Sequence, residues 1–455
     1  LSPPDLRQLV AKVTPPDYSG LATQRYTNSD LAVLAGSRVE FLAEVTPANA
    51  TGFVRLLPED RLVALEPNAD GLAFALSAER SLRLRFELTD DQGLANPDPG
   101  LWSLTVREDR APRVSVRSPE TLNLETTDAG VLPLWVAVDD DFAVTEARLV
   151  TEPTLAETKG RSLPLELRPV GDQNDKVFAF ASIPLGELTE NPEAGRTIWV
   201  EVEAKDNRVP VAGTGRSPKI SLRILAREDY MRRIQDRLAG TRRRVSDLYD
   251  LQREKLQRTQ ELADAVSVDG SLDSAGRADL ATVASGARRI EADSMGILRE
   301  LAALTGDVLH ARVDAEAKGQ LEQLDRLFAS SPSAEFDPGI WSSLVNMHNA
   351  GKLGKAGFAG HLLELTGAGL SLAQVDSMLA REALELALDL SSQPNELVAA
   401  LDEALDLERA NLASIEALLG RLAEWDNFQS VLSLAREVLE RQRALQERTK
   451  DLASQ

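Results

Sequence analysis

Hydrophobic and polar positions follow two rhythms along this chain, and the change falls near Ala226. Before that point apolar residues alternate with polar ones. In residues 81–88, Leu82, Leu84, Phe86 and Leu88 share one side, and Arg83, Arg85 and Glu87 share the other. A period of two with one polar face marks a strand that packs on a core on one side and meets water on the other. The same rhythm predicts strands at 10–13, 38–45, 52–57, 61–65, 71–76, 81–88 and 101–106, separated by turn formers at Pro47, Asn68 to Gly71 and Asp90 to Gly100. Short strands at that density predict an Ig-like sandwich. A second set at 113–116, 132–138, 144–150, 163–167, 177–183, 197–204 and 219–225 predicts another, with Ile198, Val200 and Val202 turned inward against Thr197, Glu201 and Glu203. Only Glu108 to Ala111 separates the two sets, so the pair is expected to be stiff.

After Ala226 the apolar residues recur by threes and fours. Tyr230, Ile234, Leu238, Val245, Leu248, Leu256, Leu262 and Val266 predict a long helix over about 228–266, ended by Asp269 and Gly270. Further helices are predicted over 274–304 and 307–329, before a break at Pro332. Asp337 followed by Pro338 reads as an N-cap with proline in the first turn. Glycine-rich 351–369 reads as a flexible connection, and Ser371 to Gln374 as a capping box that opens a helix to about Leu390. Pro394 opens another to about Leu419, and the last covers 425–452 with Trp425, Phe428, Leu432, Ala435 and Leu439 on one face. The expected fold is multidomain, all-β then all-α. Two tandem Ig-like β-sandwiches, 1–109 and 110–226, precede an α-helical bundle or coiled-coil-like stalk, 227–455.

Charge and composition narrow the partners. The chain of 455 residues carries a net charge of −21. Residues 1–225 hold 24 Lys/Arg against 34 Asp/Glu, so the acidity is spread along the chain and is not a tail. A field of this sign repels nucleic acid and anionic lipid and tolerates divalent cations. The absence of cysteine excludes disulfides, thiolate catalysis and zinc–thiolate sites. No apolar run reaches the 18 residues that a spanning helix needs. The start at Leu1 reads as a processed or excised portion of a longer protein, with any membrane anchor outside it.

Several short motifs stand out: Val13-Thr14-Pro15-Pro16-Asp17-Tyr18-Ser19-Gly20, Asp90-Asp91-Gln92-Gly93-Leu94 with Asn96, Asp140-Asp141-Phe142-Ala143-Val144, Ala204-Lys205-Asp206-Asn207 and Trp425-Asp426-Asn427. Together they resemble a group of large envelope proteins of planctomycete-type bacteria, of unknown function, with tandem Ig-like domains followed by long helices. Ala143 stands where that group usually has Gly. The resemblance implies a membrane-anchored protein exposed to the periplasm or cell surface. It brings no activity and no catalytic residues.

Candidate chemistry is sparse. In an Ig-like sandwich the B–C and F–G loops share one end. The Asp139-Asp140-Asp141 run and the Asp206-Asn207 pair should therefore meet. Asp139, Asp141, Asp206 and Asn207 are the candidate metal ligands, with Ca²⁺ the one cofactor considered, although Asp and Asn in such loops commonly cap turns. Pro15 and Pro16 read as blocks to edge pairing, with Tyr18 packed locally. Arg233, Arg237 and Arg243, within the arginines of the first long helix, and Trp425, Phe428 and Leu432 on the last one are the candidate interaction residues. His310, His348 and His361 fit no metal-binding spacing, and no phosphate-binding loop or catalytic constellation is visible. The expected role is a non-enzymatic, extracytoplasmic scaffold that assembles with protein partners or with itself. The alternative is a calcium-dependent adhesion or ligand-binding module that uses the acidic end of the second sandwich.

Overall fold

The computed structural model describes residues 3–27, 30–153, 160–171, 174–331 and 335–453, with the side chains of 425–440 and 443–453 outside that description. It divides into two compact units. The first holds Leu1–Glu120, Trp135–Phe180 and Trp199–Ile220; the second holds Thr121–Leu134, Ala181–Ile198 and Ser221–Gln455.

The first sandwich is built from β1 (Asp5–Thr14), β2 (Gln24–Tyr26), β3 (Asp30–Leu34), β4 (Ser37–Thr46), β5 (Thr51–Leu57), β6 (Arg61–Ala64), β7 (Glu66–Asn68), β8 (Gly71–Ala78), β9 (Leu82–Thr89) and β10 (Leu101–Arg107). One sheet has the order β2-β1-β4-β8-β7 and the other β3-β10-β9-β5-β6. In Ig lettering these are the A-B-E-D and G-F-C sheets, with β3 added parallel to β10. The alternation seen in the sequence supplies the core: Val39, Phe41, Phe74 and Phe86 are buried, and Phe41 stacks on Phe74 at 4.7 Å between ring centroids.

The second sandwich repeats the plan with β11 (Arg113–Ser118), β12 (Asn123–Thr126), β13 (Val131–Asp139), β14 (Val144–Thr151), β15 (Ser162–Pro164), β16 (Arg168–Pro169), β17 (Lys176–Pro184), the one-turn α1 (Leu185–Leu188), β18 (Thr197–Asp206), β19 (Thr214–Arg216) and β20 (Ile220–Ile224). Its sheets run β11-β13-β17-β16 and β12-β20-β18-β14-β15, with β19 beside β18. The fold class is thus two tandem Ig-like sandwiches followed by helices.

The helices are α2 (Arg227–Asp269), α3 (Ser274–His310), α4 (Lys318–Ser330), α5 (Pro338–Asn349), α6 (Gly357–Ser371), α7 (Ser377–Asp389) and α8 (Pro394–Ala453). The 43 residues of α2 span about 65 Å. Gly270 ends it in the left-handed conformation, φ 74°, which costs a residue without Cβ nothing. Asp337 caps α5 by accepting from the Gly339 N–H, with Pro338 in the first turn. Val131 and Leu225, at strand ends within the second unit, join Tyr230, Ile234, Leu298 and Leu309 in one core.

Four helix boundaries differ from the sequence pattern, and the reasons are local. No break occurs near 304–307: α3 runs on to His310, because Leu304, Val308 and Leu309 are buried and Gly306 leaves room for the Trp341 ring. The chain turns instead at Arg312, φ 49°. The glycine-rich segment is not a flexible connection over 357–371 but the buried helix α6. There a Cβ on Gly367 would lie 2.9 Å from Val345, and one on Gly369 would lie 3.2 Å from Leu301. These glycines buy close helix crossings. Ser371 opens no helix, since α6 passes through a π-turn at Leu372–Asp376 straight into α7. Finally, 394–419 and 425–452 form one 60-residue helix, with exposed Gly420 tolerated inside it.

Candidate functional site

The residues with the least satisfied chemistry gather inside the first unit, where the linker between β10 and β11 passes the ends of β13 and β18. Alternation along β13 buries Val136 and Val138 and leaves Asp139 exposed, so Asp140 is the next residue to turn inward. Its Oδ2 accepts the N–H groups of Phe142 and Ala143, each at 2.9 Å. Along β18, Val202, Ala204 and Asp206 face inward. The Oδ1 of Asp206 accepts from the N–H of Arg208 at 3.0 Å and of Gly213 at 2.7 Å. Asp109 enters from the linker, 6% exposed, and the Arg208 Nη1 donates to its backbone carbonyl at 3.2 Å.

The first sandwich contributes Tyr18. Its ring meets Phe142 edge-on at 5.9 Å, and its carbonyl accepts from the Asn207 amide at 2.7 Å. Tyr18 is therefore packed against the second sandwich and not locally, as its motif alone suggested. Its hydroxyl lies beside the Asp109 carboxylate without reaching good hydrogen-bond geometry. Five buried side-chain oxygens here make no hydrogen bond among the described residues: both of Asp109, Oδ1 of Asp140, Oδ2 of Asp206 and Oδ1 of Asn207.

The electrostatics follow from this burial. Desolvation, and then the charge of Asp206, hold the Asp109 carboxyl above the ordinary range; the Tyr18 hydroxyl beside it and then Arg208 oppose the shift, and Asp141 adds a little to it. Burial raises Asp140 in the same way, with Asp109 and Asp206 adding to it. The Tyr18 phenol is pushed up to about 12 by burial and by Asp109. A raised carboxyl pKa means that the folded chain binds protons more readily than the unfolded chain. The stability contributed by Asp109 and Asp140 is full at low pH and is lost as pH rises through the raised values.

Of the residues singled out in the sequence, the structure brings Asp206 and Asn207 into this cluster and leaves Asp139 and Asp141 exposed at its edge. Asp109, Asp140 and Tyr18 were not singled out as ligands. Three of the resemblance motifs, those holding Tyr18, Asp140 and Asp206, meet here. Among the described residues, no three His, Cys, Asp or Glu side chains are already gathered closely enough to grip one ion.

The three α2 arginines singled out in the sequence have partners inside the second unit. Arg233 pairs with Glu125, Arg237 with Asp307 at 2.7 Å, and Arg243 donates to the Ala239 carbonyl of its own helix. Trp425, Phe428 and Leu432 fall on α8, and their side chains lie outside the described residues. His310 is buried, bonded to the Gly306 carbonyl at 2.7 Å and to Asp325 at 3.2 Å. No helix among the described residues is long and apolar enough to cross a membrane.

A second polar cluster crosses the helical unit. Lys255 Nζ lies 3.4 Å from Glu408 Oε1, with both side chains almost fully buried. Asn411 joins Gln252 at 3.1 Å, Ser377 joins Asn411 at 3.0 Å, and Ser294 joins Ser377 at 2.9 Å, so the ladder ties α2, α8, α7 and α3. Burial pushes the Lys255 ammonium down and the Glu408 carboxyl up.

Residues 5–280 match the family described as Domain of unknown function (DUF4175), which is more than half of the chain. The chain belongs to this family. Its match takes in both sandwiches and the junction, and continues through α2 into α3. No curated protein matches the chain. Among solved structures, the fibronectin(III)-like modules of Clostridium thermocellum CbhA are 12% identical over 43% of this chain and 90% of theirs, with a TM-score of 0.18. The titin pair A168169 is 8% identical over 50% of this chain and all of its own, with a TM-score of 0.19. Human CDH23 EC21-23 is 15% identical over 44% of this chain and 68% of its own, also with a TM-score of 0.19. The Ig-like assignment of this DUF4175 member stands on its strand order.

Proposed function

We propose that this DUF4175 chain is a non-enzymatic structural protein of the bacterial cell envelope, acting outside the cytoplasm, whose paired sandwiches form a stiff arm that holds and presents a surface. The observation that carries the reading is the engaged linker. Relative motion is the default for two domains joined by a short chain, and contacts that hold the linker itself oppose it. Here Arg208 holds the Asp109 carbonyl, Asn207 holds the Tyr18 carbonyl, Tyr18 packs on Phe142, and Gly215 lies against Pro112. Each contact joins the second sandwich to the linker or to the first sandwich.

Envelope placement, with attachment through a segment upstream of this sequence, is supported by the motif resemblance. Protein partners or further copies are the expected ligands, because a charge of −21 opposes nucleic acid. The 60-residue α8, about 90 Å long, supports assembly through helices. Light scattering on a size-exclusion column checks this part. The full chain is expected to elute as one defined multimer, and a monomer across the micromolar range removes self-assembly from the proposal.

A further inference from the structure

We infer that the junction between the two sandwiches binds one calcium ion through Asp109, Asp140 and Asp206, with the amide oxygen of Asn207 alongside. Buried carboxylate oxygens without partners are costly, and native chains leave few of them. This junction collects five unpartnered buried oxygens, and the residues that carry two of the carboxylates are only 6% (Asp109) and 2% (Asp206) exposed. The aim of the other oxygens is fixed. Asp140 and Asp206 each anchor one carboxylate oxygen on two backbone N–H groups, which leaves the second oxygen of each free. Asp109 is held through its backbone carbonyl, and its carboxylate, beside the Tyr18 hydroxyl, makes no hydrogen bond of full geometry.

The charge count points to a divalent ion. Three carboxylates face one guanidinium, that of Arg208, and two negative charges remain. Asp141, exposed at the edge, adds to the same field. An all-oxygen donor set is hard, and it selects calcium or magnesium over transition metals. Calcium takes 6–8 oxygens in irregular geometry, amide oxygens included, whereas magnesium demands a near-ideal octahedron. Five protein oxygens completed by water suit calcium. Binding requires the three carboxylates to draw closer, since among the described residues no three such side chains are near enough to share one ion.

The inference goes beyond the stiff-arm reading: a chain that binds calcium at a loose junction would keep this and lose that. The test is calorimetric titration of the EDTA-stripped full chain with CaCl₂ at pH 7, together with thermal melts in EDTA and in calcium. One ion is expected to bind and to raise the melting temperature. Asp109→Asn should weaken binding about tenfold or more. In EDTA that variant should melt above wild type, since it removes a buried unpaired charge, and calcium should reverse the order. Asp206→Asn, which keeps the Oδ1 acceptor for Arg208 and Gly213, should weaken binding likewise. Asp139→Asn makes the same charge change at an exposed position and should leave binding within about twofold. No binding at millimolar calcium overturns the inference. So does equal weakening by Asp139→Asn and Asp109→Asn, which would show diffuse attraction to an acidic chain. Stabilisation by acid with no calcium effect at pH 7 overturns it too, protons then being what the carboxylates take up.

Discussion

Lys255→Ala is expected to destabilise the helical unit by about 3–5 kcal/mol, because it strands the Glu408 carboxylate where side-chain exposure is 0%. The loss should appear in urea unfolding followed by helical circular dichroism. A fully hydrated surface pair would lose less than about 1 kcal/mol, so the size of the effect separates the two situations. Removing both charges together is a different experiment. Lys255→Met with Glu408→Leu replaces the pair by apolar groups of similar volume and should cost little or even stabilise. The neighbours decide how little: Gln252 donates to the Glu408 carboxylate, and Gly286 leaves the space that the Lys255 stem occupies, 3.2 Å from where its Cβ would be. A Lys255→Ala variant as stable as wild type would show that water reaches the pair.

Gly215→Ala is the second large effect. A Cβ at that position would stand 1.7 Å from the Pro112 carbonyl oxygen and 2.7 Å from its carbon. Both are backbone atoms, so no side chain can rotate away. Either β19 leaves β18 or the linker leaves its seat. Overpacking of this kind costs about 1–3 kcal/mol and sometimes more. Urea unfolding followed by tryptophan fluorescence checks it, since Trp135 and Trp199 both belong to the second sandwich. A change under about 0.5 kcal/mol would mean that the linker yields freely, which would count against a stiff junction.

Much of the β half is legible in the chain because its main strands carry three or more alternations. Phe86 between Arg85 and Glu87 leaves no doubt about which face is inside. The strands that escape notice, β2, β3, β7, β12, β16 and β19, have two to five residues and too few periods to read. The helical half misleads at its small residues. Gly306, Gly367 and Gly369 look like breaks, yet they mark close helix crossings, a distinction that requires knowing the facing residue. The polar ladder had a signal: Gln252 and Lys255 continue the helical spacing between Leu248 and Leu262, where apolar residues would be expected.

The candidate site was legible in part for the same reason. Asp206 and Asn207 follow from the end of an F strand. Extending the alternation past Val138 selects Asp140 from a run of three aspartates, with Asp139 and Asp141 turned outward. Asp109 and Tyr18 belong to no regular strand of the second sandwich, and no local pattern ties either one to β18. Only the path of the linker brings them there.

Stiffness of the paired sandwiches is the central claim, and a spin-label distance tests it most directly. The chain has no cysteine, so Glu66→Cys and Glu166→Cys, at exposed positions of the first and second sandwich, would carry the only two labels. The engaged linker predicts a single narrow distance distribution in the full chain. A broad or multiply peaked distribution would contradict it.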